Sequence, residues 1–321
     1  MLSAEKLLGL LVESLRQAGC GVYVYDEAKP FEIRVSRPSG EINDIRVYIW
    51  NCTHGGGRAR PENEYRIQFT GVVPAQHEDA TTLLLGWHEI GVFAAWDIRK
   101  HENQDSNSPS AQIREDVLQN AYRNGFAVGE RGNGEVVAAF RPELIAEYSA
   151  NVEDIHDGNI AELEALNNLP NIELRGAERT YGRKKVVSEI VRAYRAHDFN
   201  KRVLSAYSNA CAACGIQLRL VEAAHIVPVT FDASTDDTEN GIALCVLHHR
   251  AYDKNIISID EGYRIEVSET ALRGLGEYNL LGGLEYFRGN LRGMILLPAD
   301  RRDYPSSSNL ALSRRVRAWQ I

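Results

Sequence analysis

An α+β fold in two parts is what this sequence predicts: a mixed α/β unit over residues 1–150, then a smaller unit built around two strands and a helix over residues 186–300. Three observations carry that prediction. Alternating apolar stretches between turn signals fill the first half. Paired cysteine and histidine spacings occur only after residue 210. Between the two lies a segment whose charge changes sign.

The 321 residues are enough for two cores, and 44% hydrophobic with 25% charged residues is ordinary for a globular chain. No apolar run reaches the roughly 18 residues a membrane span needs. The opening "MLSAEKLLGLLVESLRQAGCG" has helical apolar spacing interrupted by glutamates, so it reads as a first helix rather than a signal peptide, and a cytoplasmic protein is expected.

"EIRVSRPSGEINDIRVYIWN" alternates as two strands around a Pro-Ser-Gly turn, and "YRIQFTGV", "TTLLLGWH" and "GVFAAWDI" read as further strands. "SPSAQIREDVLQNAYRNG" predicts a helix capped by Ser108, with Pro109 in its first turn and Gly125 at its exit. "GFAVGERGNGEVVAAFRPELIAEYSAN" predicts a hairpin and a short helix.

Residues 151–185 read as a linker, acidic and then basic. Residues 151–174 hold six acids and no Lys or Arg, whereas residues 175–202 hold nine bases against three acids, a local charge of +6. The net charge of −8 argues against a surface coated for nucleic acid, but local sign matters more than the total. Residues 301–321 are expected to form a C-terminal helical tail, with Arg314, Arg315 and Arg317 either touching a polyanion or solvated.

Five cysteines, three of them within residues 211–245, do not suggest a secreted disulfide framework. Cys20 and Cys52 read as buried apolar residues. Cys211 and Cys214 form a C-x2-C pair; Cys245 and His248 repeat the two-residue gap after thirty intervening residues. Thiolate and imidazole pairs at such spacing predict a tetrahedral structural zinc. With four protein ligands no position stays open, so that metal folds the unit and does no chemistry.

The remaining chemistry-bearing residues surround these ligands. "EAAHIVP" puts His225 at a strand end, "NGIALCVLHHRAYD" supplies Asn240 and His249, and "IISID" follows. Together with the lead-in "RVLSAYSNACAACG", these motifs resemble the HNH nuclease family with its ββα-metal fold, over residues 199–267. The resemblance implies metal-dependent hydrolysis of DNA phosphodiester bonds. His225 matches the general base, Asn240 the residue that braces the loop, and His249 the ligand of a catalytic divalent ion, magnesium or manganese. Where many family members carry Asp or His immediately before the base, this chain has Ala224. Either Glu222, two positions before Ala224 on the strand, or Asp253, four positions after His249, is a candidate to complete the ion's shell; the alternative is that DNA phosphate and water largely hold the ion.

The resemblance further implies a restriction-type endonuclease on double-stranded DNA, with residues 1–150 recognising sequence or a modified base such as modified cytosine. A homodimer would be needed to cut both strands together. Arg58 and Arg60 beside the glycine run of "NCTHGGGRARPENEY" are candidate DNA contacts, as are Arg183, Lys184 and Lys185; a solvated surface explains them as well. Tyr23, Tyr25, Tyr48, Trp50, Trp87 and Trp96 read as core or as a cage for an extruded base. Two other readings stay open: a ligand-activated nuclease effector of a defence system, and a non-catalytic zinc-containing DNA-binding regulator.

Overall fold

Leu7, Leu8, Leu11 and Leu15 recur at helical spacing, and Ser3 caps the backbone N–H of Lys6, so α1 forms over Ala4–Gln17 and buries its leucine stripe. The computed structural model describes residues 1–54, 61–102, 109–172 and 185–319. Its compact units are Met1–Tyr194 and Arg195–Ile321.

The first unit is organised by strands β1 (Gly21–Asp26), β2 (Phe31–Ser36), β3 (Ile42–Asn51), β4 (Glu64–Gln68), β5 (Thr81–His88), β6 (Val92–Trp96), β7 (Ser110–Arg114), β8 (Phe126–Glu130) and β9 (Val136–Phe140). Seven of them make one sheet in the order β1-β2-β3-β5-β6-β9-β8. Its β3–β5 pair is parallel and the others are antiparallel. Ile45, Val47 and Ile49 alternate into a core shared with α1, while Tyr48 and Trp50 face a second core with Ile67, Ala111 and Ile113. The connection from β3 to β5 carries β4, which pairs with β7 as a separate two-stranded sheet. Every residue of β6 and β9 is buried, as expected of strands covered on both faces.

The helix expected to start at Ser108 starts later. Residues 110–114 are strand β7, because Ala111 and Ile113 alternate into the core and pair with β4. Helix α2 occupies Glu115–Asn124, with Glu115 and Asp116 at its positive end, and leaves at Gly125 (φ 94°) as read. The proposed cap Ser108 lies outside the described residues. Of the aromatic residues considered for a cage, Tyr48, Trp50 and Trp96 are core, Trp87 is half-buried, and Tyr23 and Tyr25 are exposed on edge strand β1. Cys20 and Cys52 are buried free thiols, and burial pushes the Cys52 thiol up to about 12.

Short helices α3 (Ile145–Ala150), α4 (Val152–His156) and α5 (Ile160–Leu163) follow. The acidic stretch is not a free linker up to residue 172. Ile155, Leu163, Leu166 and Leu169 enter the first core, and the Asn167 side chain accepts the backbone N–H of Val128 at 2.8 Å. Helix α6 (Lys185–Ala206) sends Val186, Ile190, Val191 and Tyr194 into that core, and Phe199 and Val203 into the separate core of the second unit.

The second unit centres on an antiparallel hairpin of β10 (Val221–His225) and β11 (Gly241–Cys245), followed without a gap by α7 (Val246–Asp253). Then come the pair β12 (Ile257–Ile259) and β13 (Ile265–Val267), and helices α8 (Glu269–Glu277), α9 (Leu284–Gly289) and α10 (Ser307–Val316). α10 packs into this unit through Leu310, so the expected tail is part of its core. Among the described residues no helix is long and apolar enough to cross a membrane.

Candidate active site

The four residues expected to bind metal come together because three local structures end at one point. Cys211 and Cys214 flank a tight turn closed by Gly215 N–H on Cys211 O (2.7 Å), and Gly215 takes φ 84°, which favours glycine. Ala212 N–H on Ala243 O (2.7 Å) docks that turn against β11. Cys245 is the N-cap of α7, and His248 sits one helical turn on.

The four ligand atoms lie within 4.8 Å of one another. Cys245 Sγ is 3.2 Å and Cys211 Sγ 3.6 Å from His248 Nδ1, and Cys214 Sγ is 4.0 Å from Cys245 Sγ. A zinc tetrahedron with metal–sulfur bonds of about 2.3 Å has edges of about 3.8 Å, so the donor set fits zinc. Burial opposes ionisation of Cys211, yet His248 and the backbone N–H groups of Cys245, Cys214 and Ala213 outweigh it and draw the thiol well below its ordinary range. That favours the thiolate, the form that binds metal.

His225 ends β10 opposite Gly241. Its ring stacks on Phe199 of α6, with centroids 3.8 Å apart and planes 14° from parallel. A Cβ on Gly241 would lie 2.3 Å from Val203 and 3.0 Å from the Phe199 ring, so only glycine lets α6 come this close. His225 Nε2 is 3.0 Å from Asp236 Oδ1, and Asp236 Oδ2 accepts Arg195 Nε at 2.9 Å. Those contacts, His225 first, hold the Asp236 carboxyl below the usual carboxylate range.

Asn240, 1% exposed, braces the connecting loop from inside. Its Oδ1 accepts Val227 N–H at 3.0 Å, and its Nδ2 donates to Thr235 O at 2.8 Å. Its own backbone carbonyl accepts Ile226 N–H at 2.8 Å, beside His225.

His249, on α7, is brought to β10 by Glu222: Nδ1 to Oε2 is 2.9 Å. Its Nε2 is 3.7 Å from Asp253 Oδ2, one turn along the helix. Ala224 is buried in the core and offers no ligand. Arg317, just beyond α10, ties the parts together. It approaches Asp253 Oδ1 at 3.6 Å and the backbone carbonyl of His225 at 3.5 Å, and its guanidinium lies 4.5 Å over the Tyr252 ring. The arrangement offers one imidazole held by a carboxylate, and a second imidazole with two carboxylates within reach of a hard cation.

Arg314 pairs with Glu266 at 2.8 Å, while Arg315 is exposed. Lys185 is exposed and lies 3.6 Å from Glu189. Arg58, Arg60, Arg183 and Lys184 lie outside the described residues. Sequence reasoning missed Asp236, Arg195 and Phe199, and read Arg317 only as a DNA contact or a solvated residue. Asp236 stands among other acids in "DASTDDTEN", and the other three are distant in the chain, so no local signal marked them.

Residues 43–149 match the family model described as Methylase-associated X1, and residues 211–260 match the one described as HNH endonuclease. The second unit therefore holds an HNH endonuclease domain. Among solved structures, a Modification dependent TagI restriction endonuclease is similar over 84% of this chain and 80% of its own, at 10% identity and a TM-score of 0.30. No curated protein matches.

Proposed function

With an HNH endonuclease domain at residues 211–260 as the premise, we propose that this chain is a restriction-type endonuclease that hydrolyses double-stranded DNA. The single observation behind the assignment of roles is on β10. His225 and Glu222 stand three residues apart on one strand, and Glu222 grips His249. His225 is the general base, because a neutral imidazole offers a ring nitrogen lone pair that can accept a proton. It takes a proton from water, whose oxygen then bonds to phosphorus in line with the breaking P–O3′ bond. The products are a 5′-phosphate and a 3′-hydroxyl.

His249, Glu222 and Asp253 form the set that would hold magnesium or manganese. Such an ion, when bound, compensates charge on the phosphate and on the leaving oxygen. Asn240 keeps the loop closed so that His225 stays oriented. Cys211, Cys214, Cys245 and His248 hold the structural zinc. Because a ββα core reads little sequence, recognition of sequence or of modified cytosine falls to residues 1–150, and a homodimer supplies the second cut.

Plasmid incubated with magnesium and either wild type or His225→Ala tests the reading. Cleavage by the wild type and loss of at least about 100-fold in the variant are expected. No cleavage by either protein would favour a zinc-containing DNA-binding regulator. Equal cutting of unmodified, 5-methylcytosine and 5-hydroxymethylcytosine DNA would favour a ligand-activated effector instead.

A further inference from the structure

The acidic loop between β10 and β11 supplies a group that neither the sequence motifs nor the general-base role accounts for. Asp236 reaches His225 Nε2 with one oxygen (3.0 Å) and Arg195 Nε with the other (2.9 Å). Its backbone carbonyl accepts Arg202 Nη2 at 2.6 Å, and Arg202 Nη1 donates to Thr238 Oγ1 at 2.9 Å. Asp198 in turn accepts Arg202 Nε at 2.8 Å. Arg195, Phe199 and Arg202 follow one another at i, i+4 and i+7, one face of α6. That face fixes the carboxylate with its arginines and the imidazole plane with its phenyl ring.

We infer that Asp236 is a positioning residue for the general base: it holds the proton of neutral His225 on Nε2, so that Nδ1 carries the lone pair that accepts the proton of water. The inference rests on the nuclease reading given above. The physical argument is local. A neutral imidazole has one N–H and one lone pair, and an ionised carboxylate can only accept. The nitrogen facing it must therefore be the donor, and the tautomer is decided by the partner on the far side of the ring. The same contact stabilises the imidazolium that exists once water has been deprotonated. Arg195 keeps the carboxylate aimed, while α6 and the hairpin fix its distance. The carboxylate touches neither substrate nor water in this role.

The test uses the full-length zinc-loaded protein. Asp236→Ala should lower kcat on plasmid by about 10²- to 10⁴-fold with KM for DNA nearly unchanged, as expected when a base loses its orienting carboxylate. Zinc content should stay at the wild-type value. In ¹⁵N-histidine NMR, the His225 ring should change from a single Nε2–H form to a mixture of tautomers. Asp236→Glu should recover more of the rate than Asp236→Asn, whose amide can present either an acceptor or a donor. Wild-type tautomer in Asp236→Ala, or a kcat within about threefold of wild type, would overturn the inference. So would a rate loss matched by equal loss of zinc, because that would mark a folding role. If wild type itself fails to cut DNA, the nuclease reading falls, and the ring signal still decides whether Asp236 sets the His225 tautomer.

Discussion

Glu222 Oε2 and His249 Nδ1 lie 2.9 Å apart, joining a strand residue to a helix residue 27 positions later. The pairing follows from the hairpin: β11 returns alongside β10, and α7 begins at its last residue, so the helix is delivered back to the strand that holds His225. With Asp253 one turn further on, two carboxylates flank the imidazole assigned to the divalent ion.

Glu222→Ala and Asp253→Ala should each raise the magnesium or manganese concentration needed for half-maximal cleavage, by about 10- to 100-fold. A metal titration of the cleavage rate reads this directly. A variant whose titration curve matches wild type removes that carboxylate from the ion's shell.

Arg317 makes a different prediction, because its planar fork reaches Asp253, the carbonyl of His225 and the face of Tyr252 together. Lysine keeps the charge but not the fork. Arg317→Lys should therefore cut about tenfold more slowly and lose about 1–2 kcal/mol in urea unfolding, with zinc content unchanged. Full activity in that variant would show that the C-terminal segment does not set the site.

Gly241→Ala drives a methyl into Val203 and Phe199. A cost of about 1–3 kcal/mol is expected from overpacking. Because Phe199 carries the His225 ring, cleavage should fall even at temperatures where the variant is fully folded. Circular dichroism alongside cleavage rates separates the two effects.

Removing zinc with a chelator, or Cys211→Ser, should unfold the second unit, since its hairpin, knuckle and α7 meet at the metal ligands. The first unit has its own sheet and cores and should keep its amide-exchange protection. Loss of protection in both units would show that they do not fold independently.

The first unit contains its own acid-sensitive element. Glu135 is fully buried, with Oε1 2.7 Å from His101 Nε2 and Oε2 2.5 Å from Arg131 Nη1. Burial raises its pKa, but His101 and Arg131 together outweigh that and hold it below the usual value. A lowered folded-state pKa means the stabilisation is complete above the unfolded value of about 4.3 and is lost as pH falls through the folded one. Glu135→Gln should cost about 3 kcal/mol at pH 7. The gap to wild type should narrow below about pH 4, as denaturant midpoints across pH will show.

Much of this architecture was legible in one dimension. Strands β2, β3, β5, β6, β8 and β9 announced themselves by apolar alternation and glycine turns, and the Cys211–Cys214 and Cys245–His248 spacings named a metal site. Helix α2 was misread at its start because "SAQIR" carries helix and strand formers alike. Only pairing with β4 made it a strand. Likewise the acidic residues from 151 to 172 read as part of a linker, because charge marks only the solvent side of a segment. Leu163, Leu166 and Leu169 on its other side belong to the first core.

The sequence by itself determined which chemistry is available: four soft donors spaced for a metal, a strand histidine, a helix histidine and the asparagine between them, all set by residue type and short spacing. Tertiary structure alone decided what holds that chemistry in place. Asp236, Arg195, Phe199 and Arg317 act across 11 to 92 residues of chain. Contacts at that range depend on how helices and hairpin pack, and packing leaves no periodic mark in a sequence.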